Sequence, residues 1–199
     1  MRIFTIVGCL LFASNALSRP ISYVGGHTLT VNSNAQTHNI YWHFTPDNKY
    51  SIGLDYQKDR ISNNAFPSAR LTVLLNRKNT TNSQRNLYLK TGVGAQHGST
   101  YFFALAGDWE TRRIFAGFSA KQMSGSGYTL FEHSLKLGVA PYLGDYGDMH
   151  TWVMIETKKN TLNDQRLTYP VLRLFKGSAL AEVSYHKKSD WNINLTYRF

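Results

Sequence analysis

Residues 191–199 read WNINLTYRF. Trp191, Ile193, Leu195, Tyr197 and Phe199 alternate without a break with Asn192, Asn194, Thr196 and Arg198. Successive side chains of a β-strand point to opposite faces, so this stretch predicts one apolar face and one polar face. Its length is also what a tilted strand needs to cross the hydrocarbon of a bilayer, roughly 9–11 residues.

The same period of two runs back through the chain. HNIYWHFT (38–45) places Ile40, Trp42 and Phe44 on one side, and YSIGLDYQ (50–57) places Tyr50, Ile52, Leu54 and Tyr56 there. NLYLKTGVGAQ (86–96) sets Leu87, Leu89, Thr91 and Val93 against Tyr88, Lys90, Gly92 and Gly94. LFEHSLKLGVAP (130–141) and ALAEVSYH (179–186) repeat the pattern. Turn-forming clusters separate these segments, and none reads as an amphipathic helix. The reading is an all-β chain: a transmembrane antiparallel up-and-down β-barrel of about 12 strands, or ten if the weak first segment HTLTVN does not span or two of the segments are one bent strand. With both termini on one side, TPDNK, ETRR, GDYGD and FKGS are short connectors on that side. KDRISNNAFPS and KKNTLNDQ are longer connectors opposite, and NRKNTTNSQ breaks the trend.

Composition agrees with a barrel. Aromatics make up 14% of 199 residues, yet mean hydropathy is −0.33. Strands that alternate lipid-facing and lumen-facing residues give that combination. A soluble barrel also alternates, but its apolar face points inward.

The segment MRIFTIVGCLLFASNALS (1–18) has one cation, Arg2, a short apolar run and small residues at Ala16 and Ser18. It reads as a cleaved secretory signal peptide, leaving 19–199 as one domain. Cys9 falls within it, so the exported chain has no cysteine and no disulfide chemistry.

The terminal W-x-I-x-L-x-Y-x-F resembles the last strand of Gram-negative outer-membrane β-barrel proteins. That resemblance implies an outer-membrane location. It implies that Trp191, Ile193, Leu195, Tyr197 and Phe199 are an assembly signal for the barrel assembly machinery, and that the surroundings are outer-membrane lipid and lipopolysaccharide. VAPYLGDYGDMHTW (139–152) with LRLFKG (172–177) is similar to a pattern in small proteobacterial envelope proteins. It implies a link to metal-ion handling as an alternative role.

On this register the inward-facing charges are Asp55, Arg70, Lys90, Asp108, Lys121, Glu132, Lys136, Glu156, Arg173, Glu182 and Arg198. Positive and negative charges are nearly balanced, and charges in a narrow lumen must pair. The net charge of +10 sits mostly in connectors, at Lys58, Arg60, Arg77, Lys78, Arg112, Arg113, Lys158, Lys159, Lys187 and Lys188. There it suits anionic headgroups better than a permeating solute. An exported chain with dispersed cations does not fit nucleic acid, despite a pI near 9.7.

Catalytic constellations are weak. His133 and Ser134 are adjacent and face opposite sides, and Ser184 and His186 share a face about 7 Å apart. Asp145, Asp148 and His150 are weak metal candidates, since GDYGD is also an ordinary turn. The reading is therefore a non-enzymatic barrel without cofactor. It is either a narrow channel for a small solute or ion or a structural envelope protein with a charge-paired lumen. A lipid-modifying outer-membrane enzyme is the alternative.

Overall fold

The computed structural model describes residues 21–60, 63, 65–95, 99–125, 128–145, 147–161, 166–188 and 190–199. The expected export segment, 1–18, lies outside the described residues. Twelve strands follow one another: β1 (His27–Ser33), β2 (Thr37–Asp47), β3 (Tyr50–Asp59), β4 (Ala65–Asn79), β5 (Ser83–Ala95) and β6 (Ser99–Thr111) make the first half. The second half is β7 (Ile114–Gly125), β8 (Tyr128–Val139), β9 (His150–Asn160), β10 (Arg166–Lys176), β11 (Ala179–His186) and β12 (Asp190–Arg198). Each pairs with its neighbours in sequence, and β12 returns to β1, closing a barrel. Every pairing is antiparallel. The weak first segment is a full member of the wall.

The seam between first and last strands is tight. His27 N–H donates to the Phe199 carbonyl (2.7 Å) and Phe199 N–H returns the bond to His27 (3.0 Å). Outside, the His27 ring stacks on Phe199 at 5.6 Å between centroids. A closed sheet has no edge, so its backbone groups find partners within the wall, as hydrocarbon requires.

The outer face is apolar. Leu54 (61% exposed), Val93 (63%) and Ile155 (51%) point away from the barrel, as do Leu89, Leu105, Leu135, Leu137, Leu172, Ile193 and Leu195. Tyr50, Trp109, Tyr197 and Phe199 lie toward the end that carries the termini; Tyr56, Tyr101, Phe103, Phe131, Tyr185 and Trp191 lie toward the other. An aliphatic belt between two aromatic girdles is the exterior of a membrane barrel. A soluble barrel would bury this face, so that alternative falls.

Connector lengths differ from expectation. At the terminal end the connectors are 48–49, 80–82, 112–113, 140–149 and 177–178, and the longest of all is there. KDRISNNAFPS and KKNTLNDQ shrink to 60–64 and 161–165, because β4 begins at Ala65 and β9 runs on to Asn160. NRKNTTNSQ is mostly strand, since β4 and β5 extend as a ladder to the Asn79–Gln84 pair. Thr80 ties this hairpin, its N–H and hydroxyl both donating to the Ser83 carbonyl. At 177–178, Gly177 takes a positive φ of 58°, the left-handed conformation that a two-residue hairpin needs and glycine adopts without strain.

Placing Arg in the lipid-facing belt tests the face assignment. Leu135→Arg should destabilise the barrel by about 2–4 kcal/mol, read by equilibrium unfolding of protein refolded into lipid vesicles. An unchanged midpoint would mean that Leu135 does not face hydrocarbon.

Candidate functional site: the lumen

Strand register places inward residues in rows that wind across the wall. One row runs from Arg77 through Asn86, Asp108, Gly117 and Lys136 to Glu156 and Tyr169. A second runs Trp152, Arg173, Glu182, Asn194, Asn32, Asn39, Gln57. A third runs Arg198, Thr28, His43, Gly53, Arg70, Gly92, Phe102. The eleven charged residues of the sequence reading occupy partly or fully buried positions of their strands.

Four of them, together with Lys158, form an ion-pair chain on the β8–β11 side. Lys158 Nζ lies 3.4 Å from Glu156, which is 3.3 Å from Lys136. Lys136 reaches Glu182 at 3.3 Å, and Arg173 Nε donates to Glu182 Oε1 at 2.6 Å. β8 and β11 are not neighbours; β9 and β10 stand between them. The Lys136–Glu182 contact therefore spans a chord of the lumen. Arg173 also sits 4.7 Å over the Phe115 ring of β7. The Lys136, Glu156, Arg173 and Glu182 side chains are largely withdrawn from water, and each is stable only while its partner stays in place. Lys158, read from sequence as a connector charge, is inside β9 and part of this chain.

A second group lines β2–β7. Asp55 accepts from Asn39, and Arg70 Nη1 donates to Asp55 at 2.9 Å. The Arg70 guanidinium lies 4.1 Å from the Tyr41 ring centroid and 5.4 Å from that of Phe102. Lys121 stands 4.8 Å over the other reach of Phe102, opposite Glu132 in register. Lys90, on the same register row as Ala104, Lys121 and Glu132, is within electrostatic reach of Arg70, Asp108 and Lys121. Arg77 Nε donates to Asn86 (2.8 Å), and Asn86 donates to Asp108 (2.7 Å). A β-bulge between Leu74 and Asn76 shifts the register of β4, which brings Arg77, read as a connector charge, level with Asn86. Buried Glu110 also joins the inner face; its sequence context, ETRR, reads as a turn. Cation–ring contacts of this kind hold charge in a dry site without a full counter-charge.

The lumen is not uniformly polar. Phe115, Ala140, Trp152, Met154, Tyr169 and Val171 pack together inside, with Leu167 against them. Ile21 is buried ahead of β1, and Ser22 N–H donates to Thr45 Oγ1 on the inner face of β2. The 21–26 segment thus turns into the terminal mouth.

The remaining candidates do not assemble. His133 is exposed on the outside and Ser134 faces in. His186 Nδ1 accepts from the Lys188 N–H at 3.0 Å, and Ser184 is buried beside it on the same face. A serine–histidine contact forms elsewhere: Ser33 Oγ and His38 Nδ1 share a 2.9 Å bond at the far rim, away from the lumen. Asp145 N–H donates to the Asp148 carboxylate (2.9 Å), the bond of an ordinary turn. No group of three His, Cys, Asp or Glu side chains among the described residues is arranged to hold a metal. Trp191, Ile193, Leu195, Tyr197 and Phe199 all face outward.

Truncating Glu182 tests the chord. Glu182→Ala leaves Arg173 without its carboxylate and should cost about 3–5 kcal/mol, whereas replacing Arg173 and Glu182 together by Met and Leu should cost much less. Urea unfolding of the three proteins in one lipid checks this; equal losses for single and double variants would mean the pair is not coupled.

No protein-family model matches the sequence, and no curated protein matches it. Solved structures do match the fold. The KdgM porin in complex with disordered oligogalacturonate superposes with a TM-score of 0.58 at 10% identity, covering 87% of this chain and 99% of that one. The KdgM porin solved alone gives 0.56 at 9% identity, with the same coverage. The β domain of the Bordetella autotransporter BrkA gives 0.51 at 11% identity, covering 88% and 99%. This chain has the fold of outer-membrane β-barrels.

Proposed function

We propose that the protein is a non-enzymatic outer-membrane barrel whose lumen is a narrow, charge-paired conduit for small ions or solutes. The carrying observation is the Lys136–Glu182 chord, braced by Arg173 against Phe115. A barrel of about eight strands fills with its own side chains, and one of about 16–18 leaves an open channel. Twelve strands leave space that side chains must cross to close. Here they cross it on the β7–β11 side and leave mainly small or hydroxyl-bearing residues on the β12–β1 wall: Thr28, Thr30, Asn32, Asn192 and Thr196.

The KdgM porin was solved in complex with disordered oligogalacturonate. Arg70, Lys121, Lys136, Lys158 and Arg173 contact carboxylates or rings inside the barrel, which supports a small permeant. The Lys58, Arg60, Lys187 and Lys188 cations lie at the far end, where they suit the phosphates of lipopolysaccharide. The 1–18 segment fits export, and the outward face of β12 fits recognition by the assembly machinery.

Conductance of purified protein in planar bilayers tests the reading. Wild type should give small, uniform steps. Phe115→Ala with Trp152→Ala should enlarge them by clearing the apolar cluster, and Glu182→Gln should shift selectivity toward anions. Silence from both wild type and the cleared variant, in protein that is folded by heat-modifiable mobility, would overturn the conduit and leave a structural barrel.

A further inference from the structure

We propose that the outer wall of β2–β5 seats one lipopolysaccharide molecule, with an acyl chain in a furrow along β4 and a phosphate at Lys58 and Arg60. The outer-membrane placement is its premise; conduction is not. The furrow opens on the lipid-facing side. Trp42, Leu54 and Tyr56 form one bank, Pro67 and Ala69 the floor and Val93 the other bank, around a volume of about 760 Å³. A second hollow of about 450 Å³ continues it past Ile52, Leu71 and Thr91.

Register makes the furrow. Ala69 stands between Leu54 and Val93, and Pro67 stands beside Tyr56. Small side chains on β4 between larger ones on β3 and β5 leave a hollow that follows the strand. It runs on to Ala65, which pairs with Lys58. Leu71 and Ala65 lie six positions apart, about 20 Å of strand. At a tilt of about 45° this rises about 14 Å, close to one leaflet of a hydrocarbon core about 30 Å thick. The furrow therefore matches one acyl chain of the leaflet at the far end, and it stops where the headgroups of that leaflet begin.

Charge waits at that point. Lys58 is exposed and shares the outward face of Leu54 and Tyr56, and Arg60 is exposed two positions on. Arg60 is held at the rim: its N–H donates to the Gln36 carbonyl at 2.8 Å and its Nη1 to the Asn34 carbonyl at 3.1 Å. His38 pairs with Lys58 in register, and its Nδ1 shares a 2.9 Å bond with Ser33 Oγ, so the ring is fixed beside the ammonium. Asp59 alternates to the inward side of β3. An ammonium and a guanidinium above an apolar furrow suit a phosphate above an acyl chain. They do not suit a second copy of this chain. Two copies in one membrane are related by an axis along its normal, so a shared face would set Lys58 and Arg60 against their own counterparts at one depth. With the end that carries the termini periplasmic, the far leaflet is the one that holds lipopolysaccharide.

The test uses the full exported chain refolded in detergent micelles and titrated with lipopolysaccharide, with bound molecules counted by native mass spectrometry. Wild type should retain one molecule against excess phosphatidylglycerol. Lys58→Gln with Arg60→Gln should weaken binding about 30-fold. Ala69→Phe fills the furrow with a group that hydrocarbon tolerates, and should abolish retention; Ala65→Phe blocks the furrow at its mouth and gives the same readout if Ala69→Phe fails to refold. Arg112→Gln with Arg113→Gln removes the same charge at the other leaflet and should leave binding intact. Equal retention of phosphatidylglycerol, binding unaltered in the cation or furrow variants, or a protein dimer in place of the lipid would overturn the seat. A barrel that binds lipopolysaccharide but carries no current sinks the conduit and keeps the seat; one that conducts without binding does the reverse.

Discussion

Everything in this structure depends on the pairing of β12 with β1. Hydrocarbon offers no hydrogen-bond partner, so each backbone group within it must find one in the wall. Eleven hairpin pairings leave two open edges, and only their union removes both. The reciprocal bonds between His27 and Phe199 begin that union, and six register pairs from Thr28–Arg198 to Ser33–Ile193 continue it. The alternation of WNINLTYRF is matched to this task. Its odd-numbered residues supply lipid-facing surface, and Asn192, Asn194, Thr196 and Arg198 turn inward. Two of these meet β1 directly, through Asn32 with Asn192 (2.9 Å) and Thr30 with Thr196 (3.1 Å).

Closure at twelve strands then sets the problem that the lumen solves. The interior is too wide for one layer of side chains to fill and too narrow to hold unpaired charge in bulk-like water. Two solutions stand side by side. Toward β7–β11, long side chains span the gap as ion pairs and aromatic contacts, over an apolar cluster that excludes water. Toward β12–β4, short polar side chains such as Thr28, Thr30 and Thr196 stand beside Tyr41, His43 and Arg70, two glycines thin the third row, and Arg70 is held by rings and Asp55.

The alternation was legible because the period of a strand is local: a residue two positions on lies on the same face whatever it pairs with. That is why strand number and the outward apolar residues could be read in order. Connectors were less legible. KDRISNNAFPS, KKNTLNDQ and NRKNTTNSQ have turn-like composition, yet residues from each are strand, because pairing in a closed ladder outweighs local preference. Lys158 was lost with KKNTLNDQ, and Glu110 with the turn-like ETRR. The bulge in β4, which brings Arg77 level with Asn86, leaves no mark in the sequence.

By itself the sequence determined an all-β chain with one face for lipid and one for a polar interior, because amphipathic alternation is a property of consecutive residues. Only the tertiary structure decided which interior groups meet. Lys136 and Glu182 are forty-six positions apart with two strands between them, and they touch because the sheet curves shut. Arg198, Thr28, His43 and Arg70 share a row because register and closure bring the last strand beside the first. Neither register nor curvature is written in any short stretch. Both arise from pairing the whole wall at once, so the barrel could be read residue by residue and its lumen could not.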